Sequence, residues 1–267
     1  MSPDSEALLR LAAFAGAFGI LAAVELAWPF RRGVERFPRW MSNLGLSVLN
    51  TLAVRGLTLV LPVLPVAIAT QVESEGLLAL AGIHGLGAAV AGFLLLDLAV
   101  YMQHVVFHHV PWFWRIHRVH HADTQFDVTT AIRFHPLEII ASLAWKIAVI
   151  IVFGIPAMAV LVFEIVLNAS AMFSHANFSL PAGVDRLLRS LIVTPDMHRI
   201  HHSVVAREIN SNFGFNLSVW DRLFGTYMAA PAGDAREMPF GLPSYREPDT
   251  ARLDWLLVFP FRGERAL

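Results

Sequence analysis

Eleven of the 12 histidines fall between residues 104 and 202, and eight of these form three clusters: His104-x-x-x-His108, His117-x-x-His120-His121 and His198-x-x-His201-His202. Residues three and four apart share one face of a helix, about 5–6 Å from each other, so each cluster can aim two or three imidazoles at one point. Neutral imidazole is a good ligand for divalent first-row metals, and open positions on iron are what dioxygen chemistry requires. Eight rings exceed the needs of a single ion. Two metals with about four protein ligands each is the natural count, and a metal pair suits the activation of dioxygen. The chain has no cysteine, which excludes a disulfide framework, a thiolate zinc site and an iron–sulfur cluster held by this chain.

The elements that must position these rings are membrane helices. The chain has 267 residues, 56% of them hydrophobic and 15% charged, with a mean hydropathy of +0.56; soluble domains use about 45–50% apolar residues. Its formal net charge of −1 gives no basic footprint for nucleic acid. Crossing a bilayer takes about 18 or more apolar residues, and five stretches qualify, roughly 7–29, 44–70, 77–103, 137–154 and 156–174. The last two are joined by the Gly154-Ile155-Pro156 corner and read as a helical hairpin, in which Lys146 must face protein, water or the interface. Pro62 and Pro65 are expected to kink the second. The leading residues lack a secretory cleavage pattern, so the first stretch is expected to stay as an anchor.

Short loops give the orientation, because cytoplasmic loops carry excess arginine. Arg31, Arg32, Arg36 and Arg39 follow the first stretch, whereas 71–76 holds only Glu73 and Glu75. Counting crossings from there puts every clustered histidine on the cytoplasmic side. Within the third stretch Asp97, Tyr101, His104 and His108 recur at spacings of four, three and four, a polar stripe that must face inward. Asp97 reads either as a partner that orients a ligand or anchors Tyr101, or as a buried carboxylate tying two helices together. His84 is isolated and reads as an ordinary interface residue. His109 adds ambiguity to the first cluster, but a spacing of five leaves the face defined by His104, so His108 is preferred.

These residues resemble the fatty acid hydroxylase and sterol desaturase superfamily, whose members carry H-x(3,4)-H followed by two copies of H-x-x-H-H. The similarity covers roughly 95–230 and extends beyond the clusters. It includes Asp97 with Tyr101, Trp114 through His121, the run from Arg133 to Glu138, Phe173-Ser174-His175 with Asn177, and Thr194-Pro195-Asp196-Met197. The closing runs Asn212-Phe213-Gly214 and Trp220 to Tyr227 resemble the bacterial sterol-desaturase-like branch.

The resemblance implies an all-α integral membrane protein with about four to five transmembrane helices and a cytoplasmic helical cap holding a di-metal site. It implies two iron ions as cofactor, dioxygen as co-substrate, and hydroxylation or desaturation of a lipid such as a fatty acyl chain or a sterol-like lipid. Residue by residue the eight clustered histidines match the shared pattern, and His175 resembles an extra ligand placed before the last cluster. Where some relatives carry a further His or Asn this chain has Ala171, which leaves one coordination position to water, His135 or substrate. His135 precedes a proline, so it reads equally as a residue that starts a helix. Asp196, Asn210, Asn212, Trp220 and Asp221 are expected to support the ligands or pack the cap.

The expected organisation is a single membrane domain over 1–267. N-terminal transmembrane helices occupy 1–94, a di-iron region 95–230 and a C-terminal tail 231–267. No dinucleotide fingerprint or haem motif occurs, so electrons must come from a separate reductase or ferredoxin. High alanine and arginine usage points to a bacterial source, hence an inner membrane. An alternative, a histidine-rich membrane metal transporter or metal-binding protein, would want its ligands strung along a path across the bilayer; here they gather on one side.

Overall fold

A computed structural model describes residues 3–33, 36–61, 64–246 and 248–263, and the described residues contain helices and isolated bridges but no strand. The chain runs through α1 (Pro3–Ala27), α2 (Phe37–Thr58), α3 (Pro65–Val72), α4 (Leu77–Leu80), α5 (Gly85–His109) and α6 (Pro111–His121). A 3-10 turn (Val128–Ile132) leads to α7 (Pro136–Phe153) and α8 (Ala157–His175), and then come short helices α9 (Ala182–Leu188), α10 (Pro195–His201), α11 (Ala206–Ile209), α12 (Val219–Leu223) and α13 (Leu253–Val258). Four of them, α1, α5, α7 and α8, are long and apolar enough to cross a bilayer. Leu11 and Ile20 of α1, Leu86 and Val90 of α5, Val152 of α7 and Met158 of α8 are all exposed. Large aliphatic side chains turned outward along such helices are matched to hydrocarbon as the surrounding solvent.

The stretch at 44–70 does not form a single span. Its helix begins earlier, at Phe37, and ends at Thr58, while Pro65 starts the separate α3; Pro62 lies outside the described residues. The reason is polarity: Asn43 donates to Thr129 Oγ1 at 2.9 Å, Asn50 donates to the Phe134 carbonyl at 3.0 Å, and Ser42 donates to the Ala251 carbonyl at 2.7 Å. One face of α2 therefore belongs to protein. The third stretch is also shifted, beginning at Gly85, because Gly82 and Gly85 adopt φ of +71° and +56° and break the helix after α4. Lys146 faces protein, as its position in an apolar segment requires: its Nζ lies 3.0 Å from Glu164 Oε1, whose other oxygen meets Arg10 at 2.7 Å.

Contacts at the helix ends show how the chain alternates. Just past α1, Phe30 N–H donates to the Asn177 carbonyl beyond the end of α8, and Glu25 accepts from Val128 and Asn177 N–H. At the opposite end Gly154, in the left-handed region at φ +64°, turns α7 into α8 against Gly76. A Cβ on Gly76 would collide with the Gly154 backbone, so both positions need glycine. It follows that α5 and α8 run toward the first end and α7 runs away from it. Their terminal residues, His104, His108, His175 and the start of α7, share one end of the bundle.

That end is capped by the short helices beyond α8 and by the C-terminal segment. Trp255, Leu256, Phe259, Leu242 and Tyr245 are buried in one apolar cluster with Val119 and Ala122 of the α6 region and Leu46 of α2. Arg118, fully buried, donates to the Phe259 carbonyl at 2.9 Å and lies over its ring.

Candidate metal centre

Four elements deliver nine histidines to the capped end: α5, α6, the last residue of α8, and α10 with its C-terminal flank. Their ring nitrogens sort into two groups, each with its donor atoms within 4.8 Å of one another. One group is His104, His108, His117, His121 and His201; the other is His120, His175, His198 and His202. The helical repeat explains the sorting. On α6 the i, i+4 pair His117 and His121 joins the first group and His120 turns to the second. At α10 the sense is reversed: His198 and His202 join the second group and His201 the first. Each H-x-x-H-H segment is thus split two to one across both groups, and two such segments are needed to complete them.

For four of the rings, hydrogen bonds fix which nitrogen is offered. His104 Nδ1 donates to the Phe213 carbonyl at 2.7 Å, His201 Nδ1 to the Ser211 carbonyl at 2.7 Å, and His175 Nδ1 to the Ala171 carbonyl one turn back at 2.7 Å. His117 Nδ1 donates to Glu138 Oε1 at 2.6 Å. Such outer partners set the tautomer and raise ligand basicity. They leave Nε2 bare, and the Nε2 atoms of His104, His117 and His201 are buried with no protein partner. In the second group His175 Nε2 lies 3.1 Å from His120 Nε2, 3.1 Å from His202 Nε2 and 3.0 Å from His198 Nε2. One lone pair cannot accept from three rings at once. A cation can, because nitrogens about 2.1 Å from one ion and about 90° apart stand about 3.0 Å from each other. The residues present therefore fit a metal in each group.

Burial keeps these rings in the ligand form. His117 is pushed down to about 3 by desolvation, and desolvation, reinforced by neighbouring imidazoles, holds His120, His121, His198 and His202 well below the usual histidine value; His201 shifts the same way. An unfolded histidine titrates near 6.5. Between that value and the folded ones the unfolded chain binds more protons, so this stability is present above about pH 6.5 and is lost as pH falls toward about 3. Metal-stripped protein in detergent should therefore melt at a lower temperature at about pH 5 than at about pH 8, the interval in which histidine dominates titration. An unchanged melting temperature would contradict the buried, neutral cluster.

The other candidate residues lie around the groups rather than in them. His135 caps α7, its Nδ1 accepting from Leu137 N–H at 3.1 Å and its Nε2 facing the Leu257 carbonyl at 3.2 Å, so neither nitrogen is offered to a metal. Asp97 accepts from Trp220 Nε1 at 2.8 Å and from Leu217 N–H at 3.2 Å, which ties α5 to the start of α12 rather than to Tyr101. The Tyr101 hydroxyl meets Thr226 Oγ1 at 2.9 Å, and its ring stacks on Phe224. Asp196 accepts from Ser179 at 2.6 Å and pairs with Arg199. Asn212, at φ +52°, donates to the carbonyls of Met197 and Met228 and accepts from Met228 N–H. Asp221 accepts from the N–H groups of Phe213 and Gly214 at 2.7 and 2.9 Å. Asn212 and Asp221 thus pin the strip whose carbonyls orient His104 and His201. Asn210 donates to the Ala206 carbonyl one turn back, and His84 and His109 are exposed.

The sequence marks Glu138 only as the end of the run from Arg133. It stands three residues after His135 in the first turn of α7, and only the packing of α6 on α7 brings it to His117. Glu138→Gln should lower metal affinity about 10–100-fold, the usual cost of losing an outer-shell partner, read as faster loss of metal to a competing chelator; unchanged retention would remove Glu138 from the site.

A sequence model of the fatty acid hydroxylase family matches residues 89–226, which holds all nine histidines. Among curated proteins the chain is 32% identical to an ornithine lipid hydroxylase of Rhizobium tropici over 53% of its length, and 31% identical to an alkylglycerol monooxygenase of Xenopus tropicalis over 51%. It is 25% identical to a cholesterol 25-hydroxylase of Rattus norvegicus over 52%. These alignments cover 42%, 29% and 46% of the relatives, so the chain spans less than half of each. No solved structure matches the chain.

Proposed function

Because the chain belongs to the fatty acid hydroxylase family, we propose that it is an integral-membrane oxygenase that holds two iron ions on its nine clustered histidines and oxidises a C–H bond of a lipid with dioxygen. The observation that carries this reading is the pair of imidazole groups, all nitrogen and nearly all buried, side by side at one end of a bundle whose long helices are apolar enough to cross a bilayer. Bound there, the metal pair would supply dioxygen activation, the chemistry that no side chain can perform. The protein's part is to gather nine rings in a buried site and to aim four of them, His104, His117, His175 and His201, through Glu138 and the carbonyls of Phe213, Ala171 and Ser211.

Hydroxylation converts R–H, dioxygen, two electrons and two protons into R–OH and water; desaturation uses the same reductant and yields two waters. Both need an electron donor from outside the chain, a reductase or a ferredoxin. The substrate class is a lipid because the helices leading to the site are apolar and the named relatives act on ornithine lipid, alkylglycerol and cholesterol. The group of four histidines has one fewer ring than the group of five. With His135 engaged elsewhere, the coordination position that Ala171 cannot fill falls to water or substrate. The arginines after α1 favour a site on the cytoplasmic side, although Arg39 is committed to a buried ion pair and adds little to that count, and the high alanine and arginine usage favours a bacterial inner membrane.

Lipid profiles of cells carrying the wild-type protein or His120→Ala test the proposal. A hydroxylated or desaturated lipid present only with the wild type is expected. Identical profiles, with the wild-type protein metal-loaded and supplied with reductant, would overturn it.

A further inference from the structure

Among the described residues, six aromatic rings line the two histidine groups, and four of them touch a single group. Phe213 contacts His104, His108 and His201; Trp114 contacts His108, His117 and His121; Phe107 contacts His117. Phe126 contacts His175 and His202. The other two straddle both groups. Phe134 stacks on His120 at 4.6 Å and reaches His117 at 6.5 Å, while Phe215 lies 5.1 Å from His104 and 6.5 Å from His198. Phe134 and Phe215 are also only partly buried, as is Trp114 beside the first group, whereas Phe107, Phe126 and Phe213 are sealed.

Phe215 joins the histidines to the apolar cores of the long helices, and Phe134 joins them to the start of α7. Phe215 packs against the apolar cluster formed by the cores of α3, α5, α7 and α8, and equally against the cluster that joins α1 and α8 to the 3-10 turn. Phe134 immediately precedes α7 and is held by Asn50 of α2 through its carbonyl. A substrate group oxidised with the help of metals held by both histidine groups would lie within reach of both groups. Phe134 and Phe215 are the rings that span both groups and keep some exposure, and Phe215 also packs on the apolar helix cores, so these two are placed to meet a chain that reaches both groups.

We propose that Phe134 and Phe215 are the walls between which an alkyl chain presents its reacting carbon, and that their bulk selects which carbon is oxidised. This rests on the lipid-oxygenase reading for the chemistry, but not for the position of the chain. Protein in vesicles of palmitoyl-oleoyl phosphatidylcholine containing a palmitic acid with a mid-chain diazirine is irradiated without dioxygen, and the adducts are mapped by mass spectrometry. Adducts are expected on the peptides bearing Phe134 and Phe215, severalfold reduced by excess palmitate and by Phe215→Trp. Adducts confined elsewhere, for example to the apolar groove of about 300 Å³ lined by Val90, Phe93, Leu94, Met158 and Val162, would overturn the proposal. In the turnover arm Phe215→Ala and Phe134→Ala should keep the wild-type metal content and move oxidation along the chain. Unchanged product positions with full metal content would also overturn it. A wild type that oxidises no lipid would instead defeat the oxygenase reading, while the adduct map still locates the chain.

Discussion

His175→Ala should leave the protein with one metal ion per chain instead of two and without measurable lipid oxidation. His175 Nε2 is the hub of the four-histidine group, within 3.0–3.1 Å of the ring nitrogens of His120, His198 and His202, and this group has no fifth ring to substitute for it. The five-histidine group shares no ligand with it, so one metal should remain. Activity should fall by more than the ~10–100-fold expected for loss of an outer-shell partner, because the lost group is itself a ligand. His135→Ala is the matched control: its nitrogens serve a helix cap and a carbonyl, so metal content should stay at two per chain. Metal analysis of both variants by mass spectrometry checks the pair. Two metals retained by His175→Ala, or one lost from His135→Ala, would mean that the donors have been assigned wrongly.

Arg39→Met should be the most destabilising substitution outside the histidines, by about 3–5 kcal/mol, the range for removing one partner of a buried ion pair. Arg39 is buried and bridges two buried carboxylates, Asp123 and Asp127, each at 2.7 Å. Asp123 follows the second histidine cluster by two residues, and Asp127 caps the 3-10 turn through Thr129 N–H. One guanidinium thus fastens the start of α2 to the segment leaving α6. Burial alone would raise the Asp123 carboxyl, but Arg39 and Arg133 overcome it and bring it down to about 2. The stability it contributes is present above the ordinary aspartate value and lost as pH falls toward 2. Without Arg39 that carboxylate must be protonated or solvated at neutral pH. The thermal midpoint should drop accordingly, and adding Asp127→Asn to Arg39→Met should recover part of the loss. A midpoint within error of the wild type would show the pair to be solvated rather than buried.

The sequence made the eight clustered histidines legible because their spacing is a helical repeat, and a repeat survives without knowledge of what it packs against. His175 had no such signal; only the resemblance singled it out, since a lone histidine at a helix end has no spacing to measure. The hydropathy of 44–70 concealed a boundary because Asn43 and Asn50 are diluted by their apolar neighbours, and their partners Thr129 and Phe134 are more than 80 residues away. Asp97 showed its burial but not its partner: the inward stripe required a contact, and Trp220, 123 residues later, supplies it. The carbonyls of Ser211 and Phe213 were beyond reach in principle, because every residue carries a carbonyl and only the folded strip held by Asn212 and Asp221 decides which two face imidazoles.

Diffraction data collected at the iron absorption edge from metal-loaded crystals test the central claim most directly. Two anomalous peaks are predicted, one among His104, His108, His117, His121 and His201 and one among His120, His175, His198 and His202. A single peak, or peaks lying outside these two groups, would contradict the account.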